Sequence, residues 1–363
     1  MSQLLARLQN QRASAVDPLE RAELTARIAA NFARLGKFDE SKTLIAELRS
    51  VYGDGRSGRI TVWIMLAEGL IYLYQDISPL ALDKITRAQV LGLAMGYSTV
   101  VALASAWKAH IEFEGSNFEA MTSSLTIAQA NVSADEHDAH TRIAMVISNS
   151  FMLCGDERAS YRWFMTGREH ALKNGDQASV EALLYNRATM ALGWLRVSCC
   201  SIKTDAQRFQ SIKSEVKSAR NLQQITGIPT MENHVGLMEA RLLTIDEKYE
   251  DAIAKLQDVR SKAPFAIHNF SQSLVDLEIC FCYVRIGQIE RAATIFETID
   301  HSNFGSLDTD EKIVVLWMCI QLCEHDARFG VLANYLPQFE QLQFEHGNSC
   351  AILKKRLIPF DQQ

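Results

Sequence analysis

The sequence is poor in the two residues that most often interrupt regular structure, with only 6 prolines and 18 glycines in 363 residues. All-β and α/β folds need many tight turns, which these residues supply, so their scarcity disfavours both classes. Strand-like alternation of apolar and polar residues is also absent over any useful length. We therefore expect an all-α fold.

An excess of positive charge is also missing. The chain has 37 Lys and Arg against 43 Asp and Glu, which gives a net charge of −6. Surfaces that bind nucleic acid broadly are usually basic, so nucleic acid is disfavoured as a partner. The 48% of hydrophobic and 22% of charged residues are typical of a folded chain and exclude wholesale disorder.

The amino-terminal segment lacks the apolar core of a signal peptide, because Arg7 and Arg12 interrupt its apolar residues. The 8 cysteines lie mostly within apolar helical sequence and not in the spacing of a disulfide framework. These features predict a reduced, cytoplasmic setting. The adjacent Cys199 and Cys200 leave two interpretations open, a redox pair or ordinary loop thiols.

One uncharged stretch, Ala88 to Trp107, is long enough to cross a bilayer. Its centre, Gly96 to Thr99, has the composition of a helix end followed by a new helix start. The flanking sequence has the same helical periodicity, so a buried helical hairpin is favoured over a membrane span.

The sequence contains no recognisable catalytic motif: no phosphate-binding loop, no GxSxG and no HExxH is present. His137 and His140 share a helical face, as do Cys319 and Cys323, but neither pair has a second set of ligands in the sequence. We interpret both pairs as structural. The sequence therefore predicts no enzyme activity, no cofactor and no metal site.

The dominant pattern is a repeat of polar breaks between apolar helical segments. The breaks are centred on residues 36, 76, 115, 155, 247, 287 and 327, so the steps are 40, 39, 40, 92, 40 and 40 residues. The long step equals two periods plus about a dozen residues. A fixed period of this size is the mark of a helical solenoid.

The repeats resemble tetratricopeptide repeats, in which small residues let two helices approach and large ones fill the space between neighbours. The positions that match are Ala240, Leu243, Tyr249, Ala252, Leu256, Val259 and Pro264, then Cys280, Tyr283, Gly287, Ala292, Phe296 and Ile299, and also Gly69, Tyr72, Ala81, Ile85 and Ala88. A period near 40 is similar to the longer repeats of bacterial regulators of the maltose-activator type, where the superhelix is a sensor module. The resemblance implies a right-handed α–α superhelix of about eight helix-turn-helix repeats.

On this interpretation residues 1–363 form a single solenoid. Its predicted parts are an N-terminal capping helix (1–23), repeats 1–4 (24–176), an irregular repeat 5 (177–228), repeats 6–8 (229–345) and a C-terminal tail (346–363). Repeat 5 is expected to hold its extra residues in a loop from Val197 to Asp205. That insertion is either functional or merely tolerated, and both interpretations stay open.

In the resembling family, the first helix of each repeat lines the concave groove. The corresponding positions here are Trp63, Leu66, Leu70, Arg142, Asn149, Tyr185, Thr189, His234, Arg241 and Phe281. Arg142 and Arg241 give the groove a polar centre between apolar ends, which suits a carboxylate or phosphate between hydrophobic anchors. The alternative is that these side chains simply pack on one another.

The resemblance and the absence of catalytic motifs together predict a non-enzymatic scaffold or adaptor that binds a peptide or partner protein in its concave groove. The alternative is a ligand-responsive regulatory module of a bacterial signalling or transcription-control system, which would bind a small ligand. A membrane partner is not expected.

Overall fold

A computed structural model of the chain describes residues 3–53, 57–76, 78–201, 205–226, 229–262 and 272–361. The described residues form helices and no strand, as the all-α prediction requires. The α-helices are α1 (Gln3–Ser14), α2 (Pro18–Arg34), α3 (Phe38–Tyr52), α4 (Gly58–Ile71), α5 (Leu80–Met95), α6 (Ser98–Glu114), α7 (Phe118–Asn131), α8 (His137–Leu153), α9 (Glu157–Asn174), α10 (Gln177–Cys199), α11 (Ala206–Thr226), α12 (Pro229–Ile245), α13 (Tyr249–Ser261), α14 (Gln272–Arg285), α15 (Ile289–Phe296), α16 (Thr309–His325) and α17 (Leu332–Asp361).

In unit 1, α2, α4 and α6 each pair with the helix that follows, and in unit 2 so do α12 and α14; α2, α4, α12 and α14 also belong to pairs that pack on the next one. The small residues predicted at helix crossings explain how close these contacts are. A Cβ added at Gly69 in α4 would lie 2.5 Å from Cγ1 of Ile85 in α5. At the equivalent crossing, the hydroxyl of buried Ser41 donates to the carbonyl oxygen of Ala29 at 2.8 Å.

Most of the predicted breaks share one backbone motif. At Gly36, Gly155 and Gly287 the chain adopts φ values of 71°, 73° and 77°, and the amides of the glycine and of the residue after it donate to carbonyl oxygens of the last helical turn. This is the Schellman cap, which glycine enters without a Cβ clash. Ser116 and Glu247 adopt the same left-handed conformation without being glycine, with φ of 56° and 59°.

Three boundaries differ from the sequence prediction. Helix α10 runs for 23 residues to Cys199, so Val197 to Cys199 are helical and not part of a loop. The predicted tail 346–363 is instead helical up to Asp361, within the 30-residue α17. At the N-terminus the predicted cap divides into α1 and the start of α2 at Pro18. Pro264 lies outside the described residues.

The uncharged stretch from Ala88 to Trp107 is divided between two helices. Helix α5 ends at Met95, Gly96 caps it with φ 71°, and α6 begins at Ser98. This confirms the predicted stop and restart. Among the described residues, no helix is both long and apolar enough to cross a membrane.

The chain forms two compact units. Unit 1 contains Met1–Phe151, Asp156–Leu183 and Lys355–Gln363, and unit 2 contains Met152–Gly155 and Leu184–Lys354. Each has its own apolar core, built for example around Ile60, Leu66 and Ile85 in unit 1 and around Leu256, Leu277 and Leu322 in unit 2. The single domain over 1–363 stays a prediction.

Candidate functional site

Unit 1 has a cleft formed by the first helices of five successive pairs, α2, α4, α6, α8 and α10. The cavity within it has a volume of about 30 Å³, room for about two water molecules, and the rest of the cleft is open to solvent. We call it the unit 1 cleft. Its lining residues are Arg27, Ala30, Asn31, Arg34, Trp63, Leu70, Leu103, Trp107, Asp138, Arg142 and Ser179.

Of the groove residues predicted in this part of the chain, Trp63, Leu70 and Arg142 line the cleft. Sequence reasoning missed its polar wall on α2, formed by Arg27, Asn31 and Arg34. The signal was present, because these three residues repeat the spacing of four and three that was used for the later helices. The same register of groove positions, extended to the first repeat, places these three residues on the groove face of α2.

Two of the three arginines in the cleft are close to carboxylates. Arg34 donates to Asp176 at 2.9 Å and to the hydroxyl of Ser179 at 2.6 Å. Burial alone would lower the pKa of Arg34, but Asp176 outweighs it and the pKa is raised. Arg27 lies 3.7 Å from Asp138, with its guanidinium 5.5 Å from the ring centre of Trp63.

Arg142 is the exception. Its side chain is 4% exposed, and no carboxylate of the described residues lies within ion-pair distance of it. Its guanidinium stacks 3.6 Å from the ring centre of Trp107 and donates to the sulfur of Met145 at 3.1 Å. Burial lowers the pKa of Arg142 to about 10, aided by repulsion from Arg34 and partly offset by Tyr74 and by the charge of Asp176. The cleft therefore contains a buried cation that no carboxylate of the described residues contacts directly.

A second polar group beside Arg142 is also incompletely satisfied. The His110 ring packs edge-on against Trp107 at 5.7 Å, and its buried Nδ1 has no hydrogen-bond partner. Burial, followed by repulsion from Arg142, lowers the pKa of His110 to about 3. His110 is therefore neutral at physiological pH and can offer one donor or one acceptor.

This environment predicts acid sensitivity that depends on His110. The folded protein keeps the ring neutral down to about pH 3, whereas the unfolded chain binds a proton below its ordinary pKa of 6.5. Stability should therefore fall as the pH drops below 6.5, by at most about 1.4 kcal/mol per pH unit from this residue. Urea denaturation between pH 7 and 4.5 should show a shallower loss in His110→Gln. The matched control is His325→Gln, at an exposed histidine, and its stability should fall with pH as steeply as that of wild type. An equally steep fall in all three proteins would contradict this prediction.

Two other predicted groove residues of unit 1 are core residues. Leu66 has no exposed surface and Asn149 is 5% exposed, and neither lines the cleft. A helix that packs on both sides buries more than one face, so position in the family register does not by itself place a side chain at the surface.

In unit 2 the predicted groove residues pack against other side chains of the unit. The rings of Tyr185 and His234 meet edge-on at 6.1 Å, and Phe281 packs against Trp317 at 5.3 Å. Thr189 donates to the sulfur of Met238 at 3.6 Å. This arrangement favours the alternative interpretation, in which these side chains pack within the protein.

Arg241 also lies in unit 2, where it belongs to a cluster of four charged residues. It donates to Glu278 at 2.9 Å and to Glu311 at 3.0 Å, while Arg196 donates to the same two carboxylates at 2.7 and 2.8 Å. All four residues come from the first helices of their pairs, α10, α12, α14 and α16. We call these residues the charge cluster. The two positive and two negative charges of the cluster cancel. Arg241 is therefore paired with carboxylates of the protein itself, in contrast to Arg142.

The remaining motifs have structural partners. His140 stacks on His170 at 4.4 Å, and His170 also contacts Nδ1 of His137 at 3.0 Å. Burial raises the pKa of Cys200 to about 12, which disfavours a reactive pair with Cys199. Within the described ranges, no group of three or more His, Cys, Asp or Glu side chains could hold a metal ion.

Comparison with known proteins places the fold. No protein-family model matches the chain, and no curated protein matches it. Its structure is similar to that of a Rap protein complexed with competence and sporulation factor, with a TM-score of 0.61, 13% identity, and coverage of 95% of this chain and 98% of that chain. The tetratricopeptide-repeat domain of P58(IPK) is 12% identical over 93% of this chain and 99% of that chain, with a TM-score of 0.26 that carries no argument. The chain is an all-α, tetratricopeptide-like helical solenoid, and at these identities the likeness extends to the fold alone.

Proposed function

We propose that this chain is a non-enzymatic interaction module that binds a peptide segment of a partner protein in the unit 1 cleft. The observation that carries the proposal is the buried guanidinium of Arg142, which no carboxylate of the described residues contacts directly. A carboxylate entering the cleft would gain a charge-assisted hydrogen bond at a position where desolvation has already occurred. The likeness to a Rap protein solved with a second molecule supports a binding role for this fold.

The walls of the cleft favour a ligand with an apolar side chain beside its carboxylate. Trp63, Leu70 and Trp107 offer buried apolar surface, while Asn31 and Arg27 offer donors at the rim. A peptide that ends in, or contains, a carboxylate next to an aromatic or aliphatic residue combines both requirements. Its remaining residues would continue along the first helices of the neighbouring pairs.

The proposal predicts that Arg142 contributes to binding and not to stability. Peptides that bind the chain should be selected from an immobilised library and compared as free acids and as amides. Arg142→Met should weaken binding of the free acids by about 10- to 150-fold, the range for a hydrogen bond to a charged group. Its melting temperature should not fall, because the substitution replaces a buried guanidinium that lacks a direct carboxylate contact by an apolar side chain.

The matched control is Arg158→Ala, an arginine exposed on α9 outside the cleft, which should change neither quantity. Fluorescence anisotropy measures the affinities and circular dichroism the melting temperatures. Equal binding by wild type and Arg142→Met, or a large loss of stability in that variant, would remove the basis of the proposal.

The second candidate function is a sensor of a small carboxylate or phosphate ligand. The observation that favours it is the small volume of the cavity, about 30 Å³, which has room for one small charged group and not for an enclosed peptide side chain. Thermal-shift screening against small metabolites separates the two functions, because a ligand that binds only the folded state raises the melting temperature. Stabilisation by a metabolite that requires Arg142 would favour the sensor.

A further inference from the structure

Four side chains from three separate segments meet in unit 2, away from the charge cluster. Cys350 and His346 lie one turn apart on α17, with 3.5 Å between Sγ and Nε2. Asp310, in the first turn of α16, lies 3.3 Å from the opposite ring nitrogen of His346. Cys154, in the turn after α8, completes the group, which we call the thiol cluster.

The two cysteines contact each other's segments reciprocally. The thiol of Cys154 donates to the carbonyl oxygen of Cys350 at 3.3 Å, and the thiol of Cys350 reaches the carbonyl oxygen of Leu153 at 3.6 Å. Neither residue forms a disulfide, and both are only partly buried. A disulfide between them would thus join two segments that are already in contact, although the residues are 196 apart in sequence.

The other thiols with a perturbed pKa have the opposite character. Burial raises the pKa of Cys280, Cys282 and Cys319 to about 12, which makes them inert. The pKa of Cys350 is lowered, first by the hydrogen bond from Cys154 and then by His346, against the effect of burial. The pKa of His346 is raised, chiefly by its hydrogen bond with Cys350.

We propose that the thiol cluster is a site of oxidation by hydroperoxides, in which Cys350 is the attacking thiolate and Cys154 the resolving thiol. His346 supports the first step from one side, and Asp310 orients its ring from the other. This proposal is independent of the unit 1 cleft.

The first step balances with a hydroperoxide as the oxidant. The Cys350 thiolate attacks one peroxide oxygen, so that an S–O bond forms and the O–O bond breaks. The departing alkoxide or hydroxide takes the proton of the His346 imidazolium and leaves as an alcohol or water. Sulfur loses two electrons to the peroxide, and Cys350 becomes a sulfenic acid.

The second step is a condensation. The sulfur of Cys154 attacks the sulfenic sulfur of Cys350, so that an S–S bond forms and the S–O bond breaks. The hydroxide leaves with the proton of the Cys154 thiol as water, and a disulfide joins the turn after α8 to α17. A thiol reductant reverses the modification.

The first test uses the full-length chain and hydrogen peroxide as the probe. At pH 6, where an ordinary thiol is less than about 1% ionised, iodoacetamide should alkylate Cys350 at least about tenfold faster than partly exposed Cys323. In a separate sample that has not been alkylated, stoichiometric peroxide should lower the intact mass by about 2 Da. Peptide mapping should assign the change to a Cys154–Cys350 disulfide. Alkylation of Cys350 no faster than that of Cys323 would overturn the proposal, and so would a different or absent disulfide.

Variants separate the roles of the residues. Cys154→Ser should stop at the sulfenic acid, which dimedone traps on Cys350, whereas Cys350→Ser should give neither product. His346→Asn should slow alkylation of Cys350 at pH 6 by at least about tenfold and move its pH profile upward. Cys323→Ser is the control and should behave as wild type. Unchanged kinetics in His346→Asn would remove the assigned role of the histidine.

Discussion

Arg241→Ala is expected to lower the free energy of unfolding by about 3–5 kcal/mol, the cost of leaving a buried carboxylate without its partner. Glu278 is only 1% exposed, and one of its carboxylate oxygens already lacks a hydrogen-bond partner. Without Arg241, Glu278 and Glu311 would share the single cation of Arg196. Urea denaturation followed by circular dichroism at pH 7 measures the change.

The control for this substitution is Arg328→Ala. Arg328 also contacts two carboxylates, those of Glu290 and Asp326, but its side chain is 45% exposed. Solvent screens such a pair, so its loss should change stability far less than the loss of Arg241. Equal losses of unfolding free energy in the two variants would contradict the conclusion that burial makes the ion pairs of Arg241 more stabilising than those of Arg328.

The loss in Arg241→Ala should also depend on pH. Burial acts to raise the pKa of Glu311, but Arg196 and Arg241 outweigh it and hold the pKa below its usual value. A depressed carboxylate pKa stabilises the fold above the ordinary value of about 4.3, and the contribution disappears as the pH falls through the folded pKa. The difference between wild type and Arg241→Ala should therefore shrink in acid.

Leu66→Ala is expected to lower the free energy of unfolding by about 2–5 kcal/mol, because it leaves a cavity in a closed core. Leu66 has no exposed surface and packs within the core of unit 1, between the pairs α2–α3 and α4–α5. The sequence instead placed this leucine in the binding groove. A groove residue would affect ligand affinity and leave stability almost unchanged, so the two assignments predict different measurements.

The control is Leu93→Ala on α5, where the leucine is 46% exposed and the same truncation opens no cavity. Both variants are compared with wild type by urea denaturation at one pH. A change below about 1 kcal/mol in Leu66→Ala would contradict the core assignment.

The repeat could be predicted from sequence because the signals that end its helices are local. A glycine such as Gly36 or Gly287 ends a helix through its own backbone freedom, so composition and spacing alone reveal the break. The small residues at crossings, such as Gly69, are also local signals. Helix α17 shows a signal that was passed over: Leu353 and Leu357 are fully buried and recur at helical spacing in the supposed tail.

The candidate site was harder to predict because charge pairing is not local. Arg142 and Arg241 look alike in sequence, each on the first helix of a repeat. What distinguishes them is the pairing of Arg241 with Glu278 and Glu311, which lie 37 and 70 residues further along the chain. The thiol cluster depends on a contact across 196 residues, and sequence spacing favoured the adjacent Cys199 and Cys200 instead.

Helix α2 carries two independent sets of residues on its surface. Arg27, Asn31 and Arg34 face the unit 1 cleft, while Ala26 and Ala29 are fully buried against neighbouring helices. Because the two sets do not overlap, mutation can exchange Arg27 or Asn31 without disturbing the second set, whereas Arg34 is held by its ion pair with buried Asp176. Each first helix contributes a row of side chains to the cleft on a backbone that stays the same. The ligand specificity of such an architecture can therefore evolve one helix at a time.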